Sequence, residues 1–112
     1  MTTSANDLRA WARGLRPLEA AVELIATACG GVLLAGPWTR SDEHGRIYFD
    51  VEVAAAEGGY LSGGERRVLK IAMSLASDQN PVDLSDAVTG LDREGTQAVL
   101  AAIAHASGWD VA

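Results

Sequence analysis

The residues best placed to do chemistry are Leu61-Ser62-Gly63-Gly64-Glu65-Arg66-Arg67. Two successive glycines let backbone N–H groups come close to an anion, Ser62 offers a hydroxyl, and a helix that starts here turns the positive end of its dipole toward phosphate. Arg66 and Arg67 would add charge, so Ser62, Gly63, Gly64, Arg66 and Arg67 form the candidate phosphate contact. The same residues are also a sound helix start without any ligand. Ser62 and Glu65 stand at S-x-x-E spacing, where each side chain satisfies a backbone donor of the other, and Glu65 cancels part of the positive field.

The remaining candidates are weaker. No G-x-x-x-x-G-K-[ST] loop occurs, and Lys70, the sole lysine, falls inside a helical pattern, so the chain is not expected to hold a triphosphate by itself. His44 beside Asp42 and Glu43 reads as a polar turn, and His105 as an ion-pairing or solvated group on the last helix near Glu94. Cys29 continues the stripe Leu18, Val22, Ile25 and reads as a buried thiol. One cysteine and two histidines cannot build a zinc site of Cys and His ligands, and no nucleophile stands with a base. The expectation is therefore no enzyme, no cofactor and no metal.

The segment 61–69 resembles the signature motif of ATP-binding-cassette ATPases, in the LSGGE form of the structural-maintenance-of-chromosomes and DNA-repair branch. Downstream, Thr89-Gly90-Leu91-Asp92 is similar to the D-loop of that superfamily, so the resemblance spans residues 61–106. Where that family carries an apolar Walker B strand ending in Asp-Glu, this chain reads Pro81-Val82-Asp83-Leu84-Ser85-Asp86, with Ser85 at the aspartate position and Asp86 at the glutamate position. Metal-assisted hydrolysis is not implied. What the resemblance implies is a contact from Ser62, Gly63 and Gly64 to a nucleotide held by another chain. The whole sequence also resembles a set of small actinobacterial proteins associated with mobile elements, through Leu8-Arg9-Ala10-Trp11-Ala12, Glu19-Ala20-Ala21-Val22-Glu23-Leu24 and Ala101-Ala102-Ile103-Ala104-His105-Ala106. That likeness implies a self-contained short domain and brings no activity with it.

These residues must be positioned by helices. Leu8, Trp11, Ala12 and Leu15 recur at helical spacing and predict a first helix over 6–15, with Arg9, Arg13 and Arg16 on another face. Pro17 suits the opening of a second helix that Gly30-Gly31 ends, with Glu19 and Glu23 outward. Val32-Leu33-Leu34-Ala35 is a short apolar run closed by Gly36-Pro37. A β-hairpin over about residues 37–50 follows, its turn at Ser41-Asp42-Glu43-His44-Gly45. Trp38, Tyr48, Phe49 and Tyr60 gather round it as a satellite core or a binding anchor. Asp50, Ser62, Asp83 and Asp92 predict caps of four further helices. The helix over 63–77 turns Val68, Leu69, Ile71, Ala72, Met73, Leu75 and Ala76 inward and leaves Arg66, Arg67, Lys70 and Ser74 on the remaining face. In the last helix Thr96, Val99, Ala102, Ile103 and Ala106 point inward, and Trp109 folds back on the core.

Length and composition set the frame. A chain of 112 residues, 48% hydrophobic, with twenty alanines and six aromatics, predicts one mostly α domain over 1–112, a bundle of five or six helices with one small hairpin. The net charge of −6 opposes a general nucleic-acid surface. It is segregated: residues 1–16 carry +2, 17–60 carry −5, 61–77 carry +2 and 78–112 carry −5. No signal peptide or membrane span is read, which points to a reducing cytoplasm. The expected function is a cytoplasmic, non-catalytic protein-binding module using Arg9, Arg13, Arg16, Arg66, Arg67 and Lys70. The alternatives are the phosphate contact in trans and a helix-turn-helix reading DNA through Arg66, Arg67 and Lys70.

Overall fold

The computed structural model describes residues 5–109. In chain order it contains α1 (Ala5–Ala12), α2 (Arg16–Thr27), a 3-10 segment (Ala28–Ala35), β1 (Thr39–Ser41), β2 (Ile47–Phe49), α3 (Val51–Glu57), a 3-10 turn (Gly58–Tyr60), α4 (Gly63–Ala76), α5 (Leu84–Thr89) and α6 (Arg93–Ser107). The fold is the expected mostly α bundle of six helices with one antiparallel hairpin. Thr39 faces Phe49 and Ser41 faces Ile47 across that hairpin.

Side-chain caps start four helices as the sequence predicts. Asp50 accepts from the Val53 amide, Asp83 from Asp86, and Asp92 from Gly95; Ser62 and Glu65 form the reciprocal capping box. The central element is α2, packed along both α6 and α4. It buries Ala20, Ala21, Val22, Leu24 and Ile25, and α4 adds Val68, Leu69, Ile71 and Ala72. Each fully buried Leu or Ile stabilises the fold by about 2 kcal/mol, so this seam supplies much of the driving force. Small residues let α6 lie close: Gly95, Val99 and Ala102 are its buried positions. Trp38 has no exposed surface and its indole N–H donates to the Leu33 carbonyl at 2.8 Å, which anchors the hairpin to the 3-10 segment.

The structure corrects the sequence reading in several places. The first helix stops at Ala12, because Gly14 at φ +99° turns the chain, and Leu15 is left 62% exposed. Trp11, expected inward, lies at the surface against Tyr48, ring centres 6.3 Å apart. The second helix ends at Thr27, so Cys29 does not prolong its stripe; it takes a left-handed φ of +55° and is half-buried. Val32 to Ala35 continue the 3-10 segment. Of the aromatic group, Trp38 and Phe49 join the main core, whereas Tyr60 is exposed and stacks on Trp38. In α6, Thr96 and Ile103 face solvent, and Trp109 is 82% exposed instead of folded back.

The stretch Arg16–Ala35 is long and apolar enough to cross a membrane by composition. It is not one continuous helix, since Cys29, Gly30 and Gly31 interrupt it with left-handed backbone, and Leu24, Ile25, Ala28 and Leu33 are buried in the core.

Candidate functional site

Helices α2 and α6 run antiparallel, as their contacts show. The start of α2 meets the end of α6 through Glu19 and His105, and Cys29, just past the end of α2, shares a cleft with Asp92 and Gly95 at the start of α6. Each end of this pair carries a group of polar residues.

The first is the signature-like turn. Ser62, Gly64 and Glu65 line a cleft of about 290 Å3 together with Gly90, Leu91 and Asp92, with Val68 and Cys29 beside them. The turn that opens α4 and the segment 90–92 are thus brought to one place. Ser62 is exposed, but its hydroxyl accepts the Glu65 amide at 3.3 Å and its own amide donates to Glu65 Oε1 at 3.1 Å. The amides of Gly63 and Gly64, in the first turn of α4, have no partner along the helix. The cleft is lined by two carboxylates and by no cation. Burial, with Glu65, Asp92 and Glu94 nearby, pushes the Cys29 thiol above its ordinary pKa, which keeps it protonated and unreactive.

The expected cations stand elsewhere. Arg66 folds back to donate to the carbonyls of Gly59 and Leu61, both at 3.1 Å. Arg67 donates to the Asp86 carbonyl at 3.2 Å and lies so close over Gly90 that a Cβ there would meet its guanidinium at 2.3 Å. Both arginines therefore tie α4 to its neighbours through backbone carbonyls, whereas the Lys70 ammonium makes neither a hydrogen bond nor an ion pair among the described residues.

The second group lies between α1, α2 and α6, where Arg9, Arg13, Glu19, Val22, Glu23 and His105 line a pocket of about 350 Å3. Arg9 grips Glu23 with two bonds, Nε to Oε2 at 2.7 Å and a terminal nitrogen to Oε1 at 3.2 Å. Glu23 raises the Arg9 pKa through that hydrogen bond. His105 Nε2 lies 2.7 Å from Glu19 Oε1, and the Gly14 amide donates to Glu19 Oε2 at 3.0 Å. These bonds, His105 first and the amide second, hold the Glu19 carboxyl below the ordinary carboxylate range. Arg16 reaches the His105 carbonyl at 3.4 Å, and the Arg13 guanidinium has no partner among the described residues. Sequence reasoning placed Glu19 and Glu23 in solvent and His105 near Glu94. The actual pairing joins residues 86 positions apart, which no local pattern reveals. The one available signal was that Glu19 and Glu23 share a face opposite three arginines of one short segment.

His44 and its acidic neighbours form a turn. Asp42 accepts the amides of His44 and Arg46, and among the described residues no group of three potential ligands could hold a metal ion.

No family model, curated protein or solved structure matches this chain.

Proposed function

We propose that this chain is a small cytoplasmic, non-catalytic module that binds another protein. One observation carries the reading: on α6 the outward flank Thr96, Leu100, Ile103, Ser107 is uncharged, with Leu100 60% and Ile103 45% exposed one turn apart. Scattered apolar side chains are ordinary on a surface, but an aliphatic pair along an uncharged helix flank is the type of surface a partner helix covers. Leu84 and Val88 repeat the pattern, one turn apart on α5. Of the six cations expected to meet a partner, Arg9, Arg16, Arg66 and Arg67 are engaged within the fold, which leaves Arg13 and Lys70; Arg93, exposed at the start of α6, is also without a partner among the described residues.

The test is affinity purification of the tagged full chain beside Leu100→Asp/Ile103→Asp, with bound proteins quantified by mass spectrometry. A protein recovered in near-stoichiometric amount with the wild type, and lost from the double variant, is the expected result. Identical recovery from both refutes the reading. Both side chains are exposed, so the variant keeps its core.

A second reading, a phosphate contact in trans, is favoured by the meeting of Ser62 and Gly64 with Gly90, Leu91 and Asp92 in one cleft. Its weakness is electrostatic, since Glu65 and Asp92 face the place a γ-phosphate would occupy. The DNA-reading alternative has less support, because Arg66 and Arg67 would have to give up their carbonyl partners to reach a groove. Thermal melting with Mg-ATP, sulfate or duplex DNA separates these from the main reading: a ligand that binds the folded state raises Tm, and none of the three is expected to.

A further inference from the structure

The exposed flank of α6 has a spacing of its own. Thr96, Leu100, Ile103 and Ser107 follow one another at steps of four, three and four residues, the alternation that keeps one line of side chains against a partner helix. Both hydroxyls on this line are satisfied inside their own helix. Thr96 Oγ1 donates to the Asp92 carbonyl at 2.8 Å, and Ser107 Oγ donates to the Ala104 carbonyl at 2.9 Å. Covering them therefore leaves no orphaned donor. Three residues before Thr96, on the same line, stands Arg93, exposed and without a partner among the described residues.

The kind of partner follows from charge. The chain carries a net charge of −6, so two copies repel one another over most of their surface, and a two-fold contact sets the residues near its axis against their own kind. A stretch without charge escapes both penalties, and α6 has no charged residue from Gly95 to Ala104. Two α6 helices laid antiparallel about a point between Leu100 and Ile103 place Leu100 on the partner's Ile103 and Thr96 on the partner's Ser107. Arg93 then reaches the C-terminal end of the partner's α6, where the helix dipole is negative. The aliphatic pair occupies the centre, and the free cation sits at the rim against a complementary field. We propose that this flank pairs antiparallel with the same flank of a second copy of this chain. The inference rests on the reading of α6 as a protein-binding surface and specifies its partner. One flank of a helix about 22 Å long is small beside the about 1,600 Å2 of a standard interface, so the dimer is weak and depends on concentration.

The experiment is sedimentation equilibrium of the full chain from about 10 μM to about 1 mM, with circular dichroism to establish that each variant keeps its helix content. The wild type is expected to pass from monomer to dimer across this range. Leu100→Glu and Ile103→Lys, both at exposed positions, are each expected to associate at least about tenfold more weakly. Mixed in equal amounts they are expected to regain the dimer, because antiparallel pairing sets their opposite charges against each other. A mixture that associates no better than either variant alone overturns the antiparallel pairing. A dimer that both variants leave intact lies on another surface and overturns the proposal as well. So does a wild type that stays monomeric throughout; the protein-binding reading then survives if the tagged chain still captures a different protein that Leu100→Asp/Ile103→Asp loses, and falls with the proposal if it does not.

Discussion

The two ends of the α2–α6 pair use the same residue types for opposite purposes. At the α1 end, side chains meet across helices: Arg9 pairs with Glu23, and the His105 imidazole hydrogen-bonds with Glu19. At the α4 end, Glu65 and Asp92 cap the helices they begin, while Arg66 and Arg67 bind backbone carbonyls. Carboxylates at the α4 end thus do backbone work, and at the α1 end they do tertiary work. A cap satisfies a donor that would otherwise be orphaned, whereas a half-exposed ion pair exchanges one well-solvated state for another. The cleft end should therefore weigh more in stability than the clasp end, although the clasp end has the shorter contacts.

The largest effect sought is at the cleft. Ser62→Ala removes one cap and Asp92→Ala another, each at a cost of about 1 kcal/mol, so the double variant should lose about 2 kcal/mol in urea unfolding. If it loses no more than a single clasp-end variant, the comparison fails. Next is Gly90→Ala, whose Cβ meets the Arg67 guanidinium. Arg67 is a flexible side chain and can swing away, so the cost is that of one hydrogen bond to the Asp86 carbonyl, about 1 kcal/mol. Combining it with Arg67→Ala should add little, because both substitutions break the same contact.

The ranking follows what could be read from the chain before folding. The capping acids and the capping box act within three residues, so Asp50, Ser62 with Glu65, Asp83 and Asp92 announce their helices in sequence. The meeting of the Ser62–Glu65 turn with Gly90, Leu91 and Asp92 joins segments distant in sequence and was not read from it. Other features were settled by tertiary packing. Residues 98–104 of α6 are all apolar, so periodicity does not choose a face; close approach to α2 selects Gly95, Val99 and Ala102 and turns the bulkier Leu100 and Ile103 outward. Gly30-Gly31 signalled the end of α2, but the left-handed turn begins one residue earlier, at Cys29, where a non-glycine residue bears a cost of about 1 kcal/mol. The ion pairs at the α1 end join segments distant in sequence and leave no local mark.

A smaller effect tests the clasp directly. Arg9→Gln removes a bidentate contact whose side chains are 39% and 45% exposed, so the loss should be about 0.5 kcal/mol and should shrink in molar salt. A salt-insensitive loss above that of a helix cap would reverse the order of the two ends.

The finest distinction is in the pH dependence of Glu19. At neutral pH, Glu19→Gln should change stability least of these substitutions, because the amide oxygen can still accept from Gly14 while the amide nitrogen donates to a neutral imidazole. The variant differs in acid. The folded protein holds the Glu19 carboxyl below its ordinary value of 4.5, so the unfolded chain binds the proton first. The stability this carboxylate contributes is complete above that value and is lost as the pH falls through the lower folded value. Asp42, lowered chiefly by the Arg46 amide, contributes in the same sense and remains in the variant. Acid unfolding of Glu19→Gln should therefore show a shallower loss of stability below pH 4.5 than the wild type, with the Asp42 part retained. Coincident acid limbs would mean that the bond to His105 does not persist in solution, and that α6 is held at this end by packing and the Arg16 contact to the His105 carbonyl.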